Sequence, residues 1–288
     1  VTEAYRDLQQ GERGAWTSII AYLGLAAVKL IIGWLFYSEA LLADGLNNST
    51  DIVASIALLI GLRISRKPPD EDHPYGHFRA ETLSALVASF IMMAVGLQVL
   101  YQGITKLATG SSQMPNMLTA WTALGCAAVM YVVYRSNLRL ANKVNSEALK
   151  AAAQDNRSDA LVGIGAFVGI VGTNLGLPWL DVAAAIVVGL IICKTAWSIF
   201  RGTAHSLTDG FDEQELEQLK ETIITTPGVE QLKDIRARLL GNQVLVDATV
   251  QVDNDLNVTE SHEITERIER QMLEKHNIQH VHIHIEPI

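Results

Sequence analysis

The chain has 288 residues, 49% of them hydrophobic, with a mean hydropathy of +0.21 and a net charge of −9. That length allows two domains. The acidic balance argues against a nucleic-acid partner, and two cysteines cannot make a disulfide framework. The averages hide an asymmetry: residues 208–288 hold 17 acidic and 7 basic side chains, a balance of −10, which leaves +1 for residues 1–207.

Apolar runs of about twenty residues, the length needed to cross a bilayer core, fall near 16–36, 40–62, 82–105, 117–134, 151–174 and 179–200. The opening VTEAYRDLQQGERG is polar and the run that follows is long enough to span, so no cleavable signal peptide is expected. Arg6, Arg13, Arg63, Arg66, Lys67, Arg135, Arg139, Lys143, Lys150 and Arg201 cluster in alternate connections, against Lys106 alone on the other side. The positive-inside rule then predicts six spans in the plasma membrane with both termini cytoplasmic. Residues 1–207 are therefore expected to form a six-helix transmembrane domain, and 208–288 a separate cytoplasmic one. Cys126 and Cys193 fall inside spans and read as small packing residues. Lys194 can snorkel, whereas Lys29 lies deeper and either snorkels or pairs with an acid.

Two spans are interrupted by polar turns, Asp44 to Asp51 in the second and Gln154 to Asp159 in the fifth. Within them Asn47/Asp51 and Asp155/Asp159 are each four apart, so each pair projects two oxygen-bearing side chains from one helix face. An acidic side chain at a helix centre in hydrocarbon costs about 2.5–3.5 kcal/mol on insertion scales and usually faces a partner or a water-filled path. Three carboxylates and an amide brought together point to a buried divalent-metal site, the cation or protons relieving the repulsion.

The loop Asp70-Glu-Asp-His73-Pro-Tyr-Gly76-His77 offers Asp70, His73 and His77 as a second, weaker set of ligands. Pro74 and Gly76 discourage a helix there, and a solvated loop is the plain alternative. The tail reads as an αββαβ unit. A helix follows Phe211 with Leu216, Leu219 and Ile223 on one face, and strands follow near 231–239 and 243–252. A second helix starts at Asn257 with Glu260 three residues on and Ile264, Ile268 and Leu273 on its apolar face. A last strand places His280, His282 and His284 on one face and Val281, Ile283 and Ile285 on the other.

The segment from Ser38 through Asp44, Gly45 and Asn47 to Asp51, the Asp155-Asn-Arg-Ser-Asp159 run and the histidine loop resemble the second helix, fifth helix and intervening loop of the cation diffusion facilitators. The likeness extends to the tail, which resembles that family's ferredoxin-like, metallochaperone-like cytoplasmic domain. It implies an α-helical membrane protein, a homodimer that exports a divalent metal in exchange for protons by alternating access. Carried over by position, the transport site is Asn47, Asp51, Asp155 and Asp159, with Asp44 as an outer-shell or gate residue. The family also points to Asp247, His262, His284 and Glu286 as a regulatory site in the tail, and places Lys233 where zinc members often carry His. The transport set has no imidazole. Oxygen-only ligands suit Mn²⁺ better than tetrahedral Zn²⁺, and the Asn plus Asp-x-x-x-Asp pattern resembles the manganese exporters. Mn²⁺ is the expected substrate, with Fe²⁺, Co²⁺ or Zn²⁺ secondary. Two other classes are less well served: a membrane-anchored metal sensor, and an intramembrane phosphatidyltransferase, whose Asp-Gly motif should continue to Ala-Arg where Asp44-Gly45 does not.

Overall fold

The structure, a computed structural model, describes residues 2–35, 39–109, 117–177 and 179–288, excepting the side chains of 2–5, 33, 39–44, 46, 47, 49, 50, 107 and 109. It divides into two compact units, Val1–Thr203 and Ala204–Ile288.

The first unit is built from six long helices: α1 (Thr2–Leu35), α2 (Glu39–Ser65), α3 (Arg79–Thr109), α4 (Met117–Val144), α5 (Glu147–Asn174) and α6 (Trp179–Leu207). Among the described residues, four stretches are long and apolar enough to cross a membrane: Arg6–Ile32, Arg79–Lys106, Met117–Val144 and Trp179–Leu207. Large apolar side chains such as Ile20, Ile31, Val53, Phe90, Val132 and Leu190 point outward, as a helix face in lipid requires. The 34 residues of α1 extend over about 50 Å, longer than the ~30 Å hydrocarbon layer. The polar opening is thus part of the helix. It is held to the end of α2: Glu12 lies between Arg63 and Arg66, and the buried Leu62 packs beside Gly11.

Within this unit α1, α2, α4 and α5 pack around small side chains, among them Ala15, Ala123, Ala127, Ala151 and Ala160. A Cβ on Gly163 of α5 would stand 3.0 Å from the Ala123 carbonyl oxygen of α4, and one on Gly45 of α2 would stand 2.9 Å from Leu30 Cγ of α1. Close approach of this kind is how helices gain dispersion contact where lipid offers no hydrophobic drive. The α4–α5 connection is two residues long. Asn145 turns with φ +48°, and Ser146 caps α5 by accepting from Leu149 N at 3.1 Å. Cys126 is buried in the α1–α4–α5 seam, and Cys193 meets α3 at Gly96.

The second unit runs α7 (Glu213–Ile224), β1 (Gln231–Leu240), β2 (Gln243–Val252), α8 (Val258–His276) and β3 (His280–Pro287). The sheet order is β1-β2-β3, with β1 antiparallel and β3 parallel to β2. The β1–β2 hairpin turns at Gly241, φ +61°, with Asn242. Asn257 caps α8 in a capping box with Glu260, and Asn277 ends it in the left-handed conformation. Leu219 and Ile223 of α7, Val246, Ala248, Val250 and Val252 of β2, and Ile264, Ile268 and Met272 of α8 form the core. Leu273, expected on the apolar face, is instead exposed. The buried stripe steps by four from Ile264 through Ile268 to Met272, and Leu273 falls about 100° round the helix. The open face of β3 carries His280, His282 and His284, as period two requires.

Candidate metal-transport site

The polar turns of α2 and α5 face the middle of α1. Asp51 is buried, and Asp155 and Asp159 are half-buried. Between them lies a residue that motif reading missed. The Tyr22 hydroxyl donates to Asp159 Oδ2 and stands 3.4 Å from Asp155 Oδ2. Two of the four expected ligands, Asp155 and Asp159, therefore meet at one phenol oxygen, and a third, Asp51, is buried on α2 without joining them, among the described residues, in a group whose ligating atoms all lie within 4.8 Å. The fourth, Asn47, and the gate candidate Asp44 lie on helical backbone in α2, and their side chains are outside the described residues.

One turn before Tyr22, Ser18 is the hub of a buried network. Asn137 Nδ2 donates to Ser18 Oγ at 2.8 Å, Asn156 Nδ2 donates to it at 3.1 Å, and Ser18 Oγ lies 3.4 Å from Asn156 Oδ1. Asn156 adjoins Asp155, so α1 grips α5 at two successive turns. On the same stripe of α1, Lys29 is buried and its Nζ donates to Asn48 Oδ1 of α2 at 3.3 Å. Of the two roles expected for Lys29, its burial speaks against snorkelling, and Asn48 is one of its partners. Chemically the site offers hard oxygen atoms, anionic from carboxylates and neutral from a phenol.

The loop set is brought together. Among the described residues, Asp70, His73 and His77 are the one group of three whose ligating atoms all lie within 4.8 Å of one another. Asp70 Oδ1 is 3.1 Å from His73 Nδ1, Asp70 Oδ2 is 3.4 Å from His77 Nε2, and the imidazole centroids are 4.3 Å apart. The segment is not helical, as Pro74 and Gly76 suggested. A tight turn does the work instead: Asp70 accepts from His73 N at 2.7 Å, and Gly76, φ +80°, returns its N–H to the His73 carbonyl at 2.9 Å. Ser65 Oγ then donates to the Phe78 carbonyl at 2.9 Å and fixes the loop to the end of α2. Desolvation pushes the Asp70 carboxyl up, but hydrogen bonds from the His73 N–H and ring, with the charges of His73 and His77, outweigh it and hold the pKa below the ordinary value.

The tail set is divided. In the parallel register Asp247 lies opposite His282, Thr249 opposite His284 and Gln251 opposite Glu286. Asp247 and Glu286 are thus four rungs apart, about 13 Å along the strands. His282 Nδ1 is 3.9 Å from Asp247 Oδ1 and His284 Nε2 is 3.8 Å from Glu286 Oε1, while His262 is on α8 beside Glu266. Lys233 donates to Glu286 Oε2 at 2.6 Å. That hydrogen bond, working against partial desolvation and helped by the charges of Lys233 and His284, lowers the Glu286 pKa. Within one chain these four residues cannot share an ion.

Residues 15–208 match the cation efflux transmembrane domain, and 211–288 match the cation efflux protein cytoplasmic domain, a dimerisation domain. The chain is 59% identical over 286 residues to the manganese efflux system protein MneS of Bacillus subtilis, covering 99% of both chains. It is 32% identical to the manganese efflux system protein MneP of the same organism, covering 97% of both. A solved structure of the MamM carboxy-terminal domain in a copper form is 27% identical, with a TM-score of 0.26, over 26% of this chain and 75% of that one. The chain belongs to the cation efflux, or cation diffusion facilitator, family: it is a membrane-embedded metal cation efflux transporter and not an enzyme.

Proposed function

We propose that the protein exports Mn²⁺ from the cytoplasm in exchange for protons, by alternating access at Asn47, Asp51, Asp155 and Asp159. Fe²⁺, Co²⁺ and Zn²⁺ are secondary substrates. The observation that carries this reading is the pair of carboxylates, Asp155 and Asp159, that meet at the Tyr22 hydroxyl, with Asp51 buried on α2, all of them oxygen donors. Such a set suits an ion that accepts octahedral oxygen coordination over one that favours a tetrahedron with nitrogen or sulfur. The manganese efflux relatives support the same substrate.

Coupling follows from competition for those oxygens. Protons occupy the carboxylates when metal is absent, metal from the cytoplasm displaces them, and protons from the other side displace the metal after the site changes its exposure. We assign the six-helix domain to residues 1–207 and the cytoplasmic domain to 208–288, in a homodimer with both termini in the cytoplasm of a bacterial plasma membrane. The loop Asp70, His73 and His77 is a second binding position for divalent metal, and the tail residues Asp247, His262, His284 and Glu286 are ligands that act separately or across the dimer.

The test is transport by the purified protein in sealed proteoliposomes. Asp51→Ala and Asp159→Ala should abolish Mn²⁺ uptake while expression and dimerisation persist, and an imposed proton gradient should drive uptake by the parental protein. Parental rates in both variants would remove the site from the account. Uptake indifferent to the gradient and to pH between about 5 and 8 would remove proton exchange.

A further inference from the structure

We infer that Tyr22 is a positioning residue that sets metal preference at the transport site, acting through Asp155 and Asp159. The inference rests on the proposal that these carboxylates bind the transported ion. The Tyr22 ring is buried against Leu25, Cys126, Met130 and Ala160, so its hydroxyl is held in place by three helices. That hydroxyl donates to Asp159 Oδ2 and stands 3.4 Å from Asp155 Oδ2. A phenol has one proton to donate. It grips one carboxylate and stands as a fixed oxygen against the other. The Ser18–Asn156 bond one turn away holds the α5 backbone in register with α1, so the grip does not slide.

A carboxylate held this way presents its remaining oxygen in one direction and cannot swing inward freely. Four-coordinate Zn²⁺ needs its ligands drawn into a compact tetrahedron with oxygens about 2.0–2.2 Å away. Mn²⁺ in an octahedral oxygen shell accepts carboxylates that stand farther apart, with water completing the shell. Tyr22 thereby favours the larger coordination number. Outer partners of this kind typically carry 10–100-fold in metal affinity.

Tyr22→Phe isolates the hydroxyl, because the ring and its packing remain. In proteoliposomes the variant should show a half-saturation concentration for Mn²⁺ raised by about 10–100-fold. In competition with both metals present, its Mn²⁺/Zn²⁺ transport ratio should fall below the parental one. A residue that only fills space would leave both readouts unchanged. Asp159→Ala is run on the same lipid preparation: if that variant transports Mn²⁺ normally, the site assignment fails and Tyr22 falls with it. If Asp159→Ala is inactive and folded Tyr22→Phe keeps the parental affinity and ratio, the site stands and the role of Tyr22 is refuted. Should Tyr22→Phe not be recovered folded, Tyr22→Gln, which retains a donor, is compared with Tyr22→Leu, which does not. More Mn²⁺ discrimination in the Gln variant supports the inference, and equal ratios in the two overturn it.

Discussion

Ser18→Ala removes one oxygen that two buried amides use. Asn137 and Asn156 both donate to Ser18 Oγ, at 2.8 and 3.1 Å, and all three side chains are 1% exposed. Water cannot replace the lost acceptor. In a soluble core each orphaned donor would cost about 1–3 kcal/mol, so roughly 2–6 kcal/mol for the pair. In a bilayer the measured contribution of an interhelical hydrogen bond averages about 0.6 kcal/mol and reaches about 1.7, because helices that separate within lipid find other partners. The bilayer reference is the relevant one here, and two bonds on that scale give about 1–3 kcal/mol. Thermal unfolding in detergent, followed by size-exclusion with fluorescence detection, should show Ser18→Ala melting clearly below the parent. Ser18→Ala combined with Asn137→Ala should lose less than the sum of the two single changes, since the second removes a donor already orphaned. Mn²⁺ transport should fall as well, because Asn156 fixes the turn that carries Asp155. Equal melting temperatures for parent and Ser18→Ala, or strict additivity in the double variant, would show that the network does not hold α1 to α5.

Asp155→His should raise Zn²⁺ transport relative to Mn²⁺ in a competition assay, since an imidazole nitrogen permits a tetrahedral site; an unchanged ratio would place selectivity outside the ligand set. Lys233 holds the Glu286 pKa down, so this carboxylate contributes stability above its unfolded pKa of about 4.3 and loses it as pH falls through the lower folded value. Lys233→Ala should move the Glu286 titration upward in an NMR pH series, and should also tighten divalent-metal binding at His284 and Glu286 by freeing an oxygen; a titration that stays put refutes the pairing. The 17 acids of residues 208–288 repel one another across a dimer, so saturating Mn²⁺ should compact the protein's cytoplasmic part in small-angle scattering. Identical profiles with and without metal would remove regulation from the tail.

Asp51, Asp155 and Asp159 were legible because a carboxylate in an apolar run is expensive, and spacing of four shows that each pair shares a face. The tail was legible because Val246, Ala248, Val250 and Val252 alternate with polar residues, and because Asn257 and Glu260 carry a cap that needs no tertiary context. Tyr22 was not. A tyrosine in an apolar helix reads as packing, and its partners lie 133 and 137 positions away. Its one local signal is the polar stripe Ser18, Tyr22 and Lys29, which recurs at helical spacing along a span otherwise apolar on that face. The histidine loop was half legible. Pro74 and Gly76 spoke against a helix, which is right, but Asp70, His73 and His77 meet through backbone hydrogen bonds of a turn that side-chain spacing does not encode.

That polar stripe makes α1 a participant in transport on the proposed assignment. Its bonds reach α5 through Ser18 and Tyr22, α4 through Ser18, and α2 through Lys29. The α3–α6 pair is joined differently, by backbone approach at Gly96, Gly103 and Gly189 and by the Lys106–Asp181 ion pair at 2.8 Å. An ion entering the site draws on the Asp159 oxygen that Tyr22 leaves free. Metal on that oxygen fixes the carboxylate that Tyr22 grips and so strengthens the hold of α1 on α5, and its release relaxes that hold. Occupancy of the site and the grip between these two helices are then linked, so a ligand that changes one must change the other by the same free energy. A fixed phenol that holds a ligating carboxylate is a means by which arrival of metal can bias the packing of the helices around it.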